Sequence, residues 1–166
     1  HVPHSHEAGV LMASRLNTIA DAAVVLIAAA IAGNVGDTTT VERTYLPDVL
    51  DPDYAAAMTT RKVYLSGMGY SQAEALSRGQ DLNEYVLRIL VVNRYTDAGQ
   101  PSKSWTDTQI DWVETYIYDL LSDARGFTVS SAYPETGEVP VAWEPELLSE
   151  HKLFWSESVF SFRRDE

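Results

Sequence analysis

The stretch from Thr106 to Gly126 reads TDTQIDWVETYIYDLLSDARG and predicts a helix with both of its ends specified. Thr106 is a favourable N-cap with Gln109 three residues on, which predicts a capping box, and Trp105 and Ile110 stand where a hydrophobic staple would form. Gly126 is the expected left-handed terminator. The apolar residues that recur at helical spacing are Ile110, Val113, Ile117, Leu120, Leu121 and Ala124. One apolar stripe of this kind needs a sheet to pack against.

Four segments on either side of this helix have the alternation or β-branched composition of strands. They are residues 40–46, ended by Pro47, and residues 61–65, 85–95 and 152–163. The segment 85–95, YVLRILVVNRY, is apolar on both faces, which is typical of a central strand. The segment 152–163, KLFWSESVFSFR, has mixed faces, which suit a strand with the core on one side and a partner on the other.

The segments between these strands are less regular. Gly67 and Gly69 predict a loop after the strand at residues 61–65, and residues 71–79 are interpreted as a short helical turn. Residues 127–131 predict a short strand, and residues 133–140 an exposed hairpin tip. Residues 144–151 are interpreted as a further helical turn.

A second helix is predicted upstream, because apolar residues recur at helical spacing from Leu16 to Ile31. Gly33 and Asn34 are its expected terminator. The uninterrupted apolar run at residues 22–32 is shorter than the roughly 20 residues that a membrane-spanning helix needs. A buried core helix is therefore favoured over a membrane span or a secretory signal.

Composition and length favour one globular domain. The chain has 166 residues, of which 45% are hydrophobic and 22% are charged. Helices and strands in this order predict the α+β class, with an antiparallel or mixed sheet and the helices packed on one face. We predict a flexible N-terminal arm at residues 1–12 and a single domain at residues 13–166.

Charge and cysteine content exclude several classes of function. Twelve Lys and Arg against 24 Asp and Glu give a net charge of −12, which disfavours nonspecific binding to nucleic acid. The chain has no cysteine, so thiol catalysis, disulfides and thiolate metal sites are excluded.

No catalytic or cofactor-binding motif stands out, and we expect no enzyme activity, no cofactor and no metal. His1, His4 and His6 have a spacing that suits a transition metal, but no fourth ligand is fixed near them. Asp48, Asp51 and Asp53 are interpreted as a solvated turn rather than a cation site. His151 is the histidine outside the N-terminal arm, and we interpret it as a surface residue rather than a triad member.

Aromatic residues are the other conspicuous class. Tyr116 and Tyr118 fall away from the centre of the apolar stripe at residues 106–126, and Trp143 and Trp155 lie further along the chain. Tyr and Trp are enriched both in partly buried core positions and in protein interfaces, so both interpretations stay open. These four residues are our candidates for a subunit interface.

The order of these segments resembles the neck proteins of tailed bacteriophages, and among them the tail terminators, also called tail completion or minor tail proteins. The resemblance covers residues 13–164. It runs through VERTYLP at 41–47, RKVYLSG at 61–67, DLNEYVLRILVVNRY at 81–95, the helix at 106–126 and FWSESVFSFR at 154–163. It is carried by element order and includes no catalytic signature.

The resemblance implies a structural protein of the virion tail or neck, assembled in the host cytoplasm. Such a protein would form a homo-oligomeric ring, usually a hexamer, that caps the tail tube and joins it to the head-tail connector. DNA would pass through the lumen without specific binding, and no membrane would be involved. The alternatives are a head-to-tail connector of the adjacent ring, a small hydrolase that uses carboxylates, and a surface or periplasmic binding module.

Overall fold

The computed structural model describes residues 14–44, 52–77, 80–122, 132–134 and 143–165. The helices are α1 (Arg15–Ala32), α2 (Pro52–Ala57), α3 (Lys103–Val113), α4 (Leu120–Ser122) and α5 (Pro145–His151), and a π-helical segment, Glu114–Asp119, joins α3 to α4. The strands are β1 (Thr40–Arg43), β2 (Lys62–Ser77), β3 (Gln80–Arg94), β4 (Ala132–Pro134) and β5 (Leu153–Asp165).

The five strands belong to one mixed sheet in the order β1-β2-β3-β5-β4. β1 runs parallel to β2, and the other neighbouring pairs are antiparallel. β3 lies between β2 and β5 and pairs with both along most of its length, which confirms the predicted central strand. The predicted α+β class with a mixed sheet is therefore confirmed.

The two long helices pack on the same face of this sheet. Side chains on that face pair across the strands, as Tyr85 does with Phe162 and Leu87 with Phe160. The buried residues that α1 and the helix starting at Lys103 contribute to this core are Ile19, Ala20, Ala22, Ala23, Ile27, Ile31, Trp112, Val113, Ile117 and Leu121. The core-facing stripes predicted for both helices thus lie against the sheet over the described residues, with Leu16, Val24, Ile110 and Leu120 only partly buried. Ala124 lies outside the described residues.

The opposite face of the sheet carries a smaller apolar cluster. It consists of Met58, Tyr64, Leu90, Val92 and Leu153, with Leu147 of α5 and Trp155 packed against it. The mixed character of the strands β3 and β5, visible in the sequence, follows from this second cluster, because residues of both faces are buried at the α5 end of the sheet.

β2 is much longer than predicted, and the predicted loop and helical turn are wrong. The strand continues through Gly67 and Gly69 to Ser77, paired with β3. The register shifts between Gly67 and Gly69, so one extra residue, Met68, is accommodated as a bulge. Two glycines that predicted a loop therefore mark a bulge, because the paired strand β3 supplies hydrogen bonds that local propensity does not show.

Gly67 also marks a close approach between α1 and β2. A Cβ atom at this position would lie 2.4 Å from Cγ of Leu16, the second residue of α1. Only a residue without a side chain lets the first turn of the helix sit this close to the strand.

Replacing Gly67 with alanine should therefore lower the free energy of unfolding by roughly 1–3 kcal/mol, the usual cost of overpacking. Urea denaturation measures the change. Gly69→Ala is the matched control, because a Cβ atom there would meet nothing within 4 Å. Adding Leu16→Ala should restore part of the loss, and a Gly67→Ala variant as stable as Gly69→Ala would contradict the close packing.

The helix at Lys103 begins earlier than predicted, and the predicted capping box is wrong. Its N-cap is Ser102, whose Oγ accepts a hydrogen bond from the backbone N–H of Trp105 at 3.1 Å. Thr106 lies inside the first turns and donates its hydroxyl to the carbonyl of Ser102. The predicted staple of Trp105 and Ile110 is wrong for the same reason, and Trp105 instead packs edge-on against Tyr95. With Ser102 as its N-cap, the helix starts one turn sooner than predicted, and Gln109 lies buried within it.

The helix is also not a regular α-helix throughout. Residues Glu114–Asp119 form a π-helical segment. Its Tyr116 stacks on Trp112, which lies near the end of α3, with ring centroids 5.1 Å apart. Such segments are frequent at functional sites, but the wider turn leaves no mark on the apolar spacing read from the sequence. The predicted terminator Gly126 lies outside the described residues.

The remaining predicted elements are confirmed in part. β1 begins at Thr40 as predicted and ends at Arg43. The predicted end at Pro47 lies outside the described residues. The helical turn predicted at residues 144–151 is α5, and the last predicted strand is β5. The short strand predicted at residues 127–131 lies outside the described residues, and of the predicted hairpin tip only Tyr133 and Pro134 are described, as part of β4.

α1 is long and apolar enough, by length and composition alone, to cross a membrane. The core helix of a soluble protein and a signal sequence both pass this test. In the structure 33% of α1 is buried, and Ile19, Ala23 and Ile27 are completely buried against the sheet.

Candidate functional site

A cluster of polar side chains joins α1, β2, β3 and α3 at one end of the sheet. It comprises Asp37, Arg61, Asn93, Gln109 and Trp112, and it lies beneath an open cleft of about 390 Å³. The rim of the cleft is formed by the loop after α1 and by the threonines that flank it: Asn34, Val35, Gly36, Thr38, Thr39, Thr59 and Thr60. We call Asp37, Arg61, Asn93, Gln109 and Trp112 the polar cluster.

Asp37 is the acceptor at the centre of the polar cluster. Its carboxylate accepts hydrogen bonds from Trp112 Nε1 at 2.8 Å, from Asn34 Nδ2 at 3.0 Å and from the backbone N–H of Thr39 at 2.9 Å. The side chain is only 5% exposed. The loop after α1 turns back at Gly36, whose φ of +85° suits glycine. This turn places Asp37 beside Trp112 of α3.

Arg61 carries the balancing positive charge. Its Nη1 lies 3.9 Å from a carboxylate oxygen of Asp37 and donates to the hydroxyl of Thr39, while its Nε and Nη2 donate to Oε1 of Gln109 at 3.1 and 2.8 Å. The guanidinium also lies 4.4 Å from the ring centroid of Trp112, in cation–π contact. Arg61 thus contacts Asp37, Thr39, Gln109 and Trp112, and these contacts fix the start of β2 against α3.

Gln109 is the link between the helix and the central strand. Its Oε1 also accepts a hydrogen bond from Asn93 Nδ2 at 2.9 Å, so one buried amide oxygen receives three donors. The residue that the sequence assigned to a capping box therefore binds Arg61 and Asn93 instead. Sequence reasoning missed this cluster. Its one signal in the sequence is that Gln109 and Trp112 lie about one turn apart on the buried side of the helix.

The charges in the polar cluster have altered proton affinities. Burial on its own raises the pKa of Asp37, but the hydrogen bonds from Thr39, Trp112 and Asn34 together outweigh it and lower the pKa from 3.8 to about 2. Burial lowers the pKa of Arg61 from its ordinary value, and the negative charge of Asp37 opposes that shift. Asp37 is therefore ionised at neutral pH and is not suited to accept a proton there.

Stability should therefore fall in acid through Asp37. Its pKa in the folded protein lies below its pKa in the unfolded chain, so the stabilisation is complete above about pH 4 and is lost as the pH falls towards 2. A shift of this size corresponds to about 2 kcal/mol. Chemical denaturation at pH 6, 4, 3 and 2 measures it, and Asp37→Asn should remove this part of the pH dependence. An unchanged slope in Asp37→Asn would contradict the assignment.

The polar cluster is best explained as a structural lock. Asp37 accepts three hydrogen bonds, Arg61 donates three, and Gln109 Oε1 accepts three. The residues that they join are far apart in sequence, by 48 positions for Arg61–Gln109 and 75 for Asp37–Trp112. An arrangement of this kind fixes the relative positions of α1, β2 and α3.

A second ion pair lies on the opposite face of the sheet. Arg88 of β3 donates through Nε and Nη2 to the two carboxylate oxygens of Glu157 on β5, at 3.2 and 2.9 Å, and Trp155 Nε1 donates to the same carboxylate at 2.9 Å. The hydrogen bond from Arg88, opposed by burial and aided by Trp155, lowers the pKa of Glu157. The pair is partly exposed, so it contributes modestly to stability.

The outer edge of β2 is the other feature with a functional implication. β1 pairs with β2 only from Lys62 to Leu65, and the carbonyl of Leu65 also accepts from the N–H of Thr44. From Ser66 to Ser77, no other strand of the described residues pairs with the outer side of β2. Unpaired strand edges present backbone donors and acceptors that can extend a sheet with another chain.

The four predicted interface aromatics do not form one surface. Tyr116, Tyr118 and Trp143 are half-buried and pack against the main core, and Trp155 packs against the smaller cluster on the other face. Tyr118 lies 6.2 Å from Phe160, ring centroid to ring centroid. All four are partly buried, which fits either interpretation, and their role in a subunit interface stays a prediction.

The other candidate residues are dispersed. The described residues contain no group of three or more His, Asp or Glu that could hold a metal ion. His151 lies exposed at the end of α5, next to Glu150. Asp53 is exposed in α2, whereas His1, His4, His6, Asp48 and Asp51 lie outside the described residues.

No protein-family model matches this chain, and no curated protein matches it significantly.

Proposed function

We propose that this protein is a structural subunit of a bacteriophage tail, a tail terminator that assembles into a ring on the end of the tail tube. The proposal rests on the order of helices and strands over residues 13–164 and on the resemblance described for the sequence. In such a ring, the partners of each subunit are its neighbours, the tail tube protein and the head-tail connector.

The observation that carries the proposal is the outer edge of β2. Native proteins usually cover or shorten exposed strand edges, because these edges pair with other chains. Here β2 has 16 residues, and the stretch after Leu65 has no outer partner among the described strands. At Met68, 59% exposed, the bulge presents an apolar side chain beside this edge. A neighbouring subunit that pairs with or packs on this edge would protect it.

The net charge agrees with a ring through which DNA passes. A net charge of −12 on each subunit repels phosphate, so DNA can move past the subunits without being retained. A ring needs two different contact surfaces on each subunit. The edge of β2 supplies one of them.

Electron microscopy of the purified protein, alone and mixed with isolated tail tubes, tests this proposal, with the mass measured in parallel. Rings, or caps on tube ends, are the expected result. Binding to portal complexes but not to tubes would instead assign the protein to the adjacent head-to-tail connector. A monomer that binds neither tubes nor portals would contradict both assignments.

A pair of variants tests whether the β2 edge is the contact. Met68→Lys places a charge beside the edge, which should reduce ring formation at least roughly tenfold, since lysine is a common guard of strand edges. Thr108→Lys is the matched control, because it adds the same charge on the exposed side of α3. Equal ring formation by the two variants would place the contact elsewhere.

A further inference from the structure

The outer face of α1 is unusually apolar for a surface helix. Val25 is 59% exposed and Val35, just after the helix, is 99% exposed, and Ala28, Ala29 and Ala32 lie exposed between them. We call these five residues the outer face of α1. A surface helix normally carries charged or polar residues on the side away from the core, and this one has none over three turns.

The segment that carries this face is uncharged as well. Residues 22–36 contain no charged side chain. Asp21, at one end, forms an ion pair with Arg43 at 2.7 Å, and Asp37, at the other end, is buried in the polar cluster. The face is therefore a neutral patch on a chain with a net charge of −12.

We propose that the outer face of α1 is a contact between two copies of this chain, related by a twofold axis. A basic partner would be drawn to the acidic parts of the surface rather than to an uncharged one. A second copy carries the same net charge of −12, so the repulsion between two copies is smallest where both facing surfaces are uncharged.

A membrane is a poorer occupant of this face. Helices that bind membrane surfaces carry Lys and Arg on their polar side and large residues such as Trp, Phe and Leu on the apolar side. α1 has one basic residue, Arg15, and three of the five residues of its outer face are alanines. Its larger apolar residues, among them Ile27, are buried against the sheet, so they are not free to enter a bilayer.

The shape of the face suits two antiparallel helices. Ala28 and Ala29 lie at its middle, so a twofold axis that passes there brings this face of one subunit against the same face of the other. The small side chains allow the shorter interhelical distances of about 8 Å. The face extends about 15 Å along one helix. A patch of this length buries less than the roughly 800 Å² per partner of a stable interface, so the dimer is a weak one.

The contact is distinct from the proposed ring. A twofold contact joins identical surfaces, whereas a ring joins two different surfaces. The inference goes beyond the proposed function, and either one can fail without the other.

Cysteine cross-linking tests the proposal cleanly, because the chain contains no cysteine of its own. In Ala29→Cys, the two introduced thiols lie beside the twofold axis, so mild oxidation should give a covalent dimer. Thr108→Cys on α3 is the control, with an equally exposed position away from the face. Ala32→Cys provides a second position on the face, and circular dichroism establishes that each variant is folded.

The expected result is at least about tenfold more dimer from Ala29→Cys than from Thr108→Cys, and loss of that excess when Ala28→Glu is added. Sedimentation of the wild-type chain should show a concentration-dependent dimer that Ala28→Glu abolishes. Equal cross-linking at residues 29, 32 and 108, or a wild-type monomer at all concentrations, would overturn the proposal. Flotation of the wild-type chain with phosphatidylcholine vesicles, abolished by Ala28→Glu, would overturn it in favour of a membrane.

Discussion

Replacing Asp37 with alanine should lower the free energy of unfolding by about 3 kcal/mol, because it removes one partner of a buried, charged network. The guanidinium of Arg61 would keep its charge at 12% exposure without a counter-ion, and the indole N–H of Trp112 would lose its acceptor. Burying an unpaired donor alone costs on the order of 1–3 kcal/mol. Urea denaturation at pH 7 measures the change.

Two further variants separate the charge from the packing. Asp37→Asn keeps an oxygen acceptor for Trp112 and should cost less than the alanine variant. Val35→Ala lies two residues away at an almost fully exposed position and should stay within about 0.5 kcal/mol of wild type. A loss below about 1 kcal/mol in Asp37→Ala would mean that the polar cluster does not lock the fold.

Replacing Phe160 with alanine should have the other large effect, a loss of roughly 3–5 kcal/mol, which is usual for removing a buried aromatic side chain. Phe160 is 1% exposed, lies opposite Leu87 on the central strand and packs near Tyr118 of the π-helical segment. Its removal leaves a cavity between the sheet and the helix layer, where few neighbours can move in.

The neighbouring residue supplies the control. Val159 points to the other face of β5, is only half-buried and lies opposite Arg88, so Val159→Ala should cost less than about 1.5 kcal/mol. Guanidinium denaturation of the two variants gives the comparison. Similar losses from the two substitutions would contradict the assignment of the main core to one face of β5.

Both stability variants bear on the proposed assembly. The polar cluster holds the first residues of β2 against α1 and α3, and the core under Phe160 holds β5 against the helix layer. A variant that unfolds this end would lose ring formation through the fold, so Met68→Lys is the better test of the contact itself.

Much of the fold could be predicted from the sequence, because it depends on short-range periodicity. The alternation in residues 85–95 places Tyr85 and Leu87 on one face and Leu90 on the other, as the structure does. The spacing of Ile19, Ile27 and Ile117 likewise placed each helix stripe against the sheet. These patterns repeat within one element, so no knowledge of its neighbours was needed.

The sequence alone determined the α+β class, the central position of β3, the two helices and the acidic surface, because each follows from spacing or from a sum of charges. Only the tertiary structure decided how far β2 extends, where the second helix begins, and that Asp37, Arg61 and Gln109 meet. The pairing that carries β2 through Gly67 comes from β3, and the hydrogen bonds of Asp37 come from residues on other elements. Contacts between distant parts of the chain outweighed the local signals of glycine and Thr106, since each buried donor must find its acceptor wherever the fold places one.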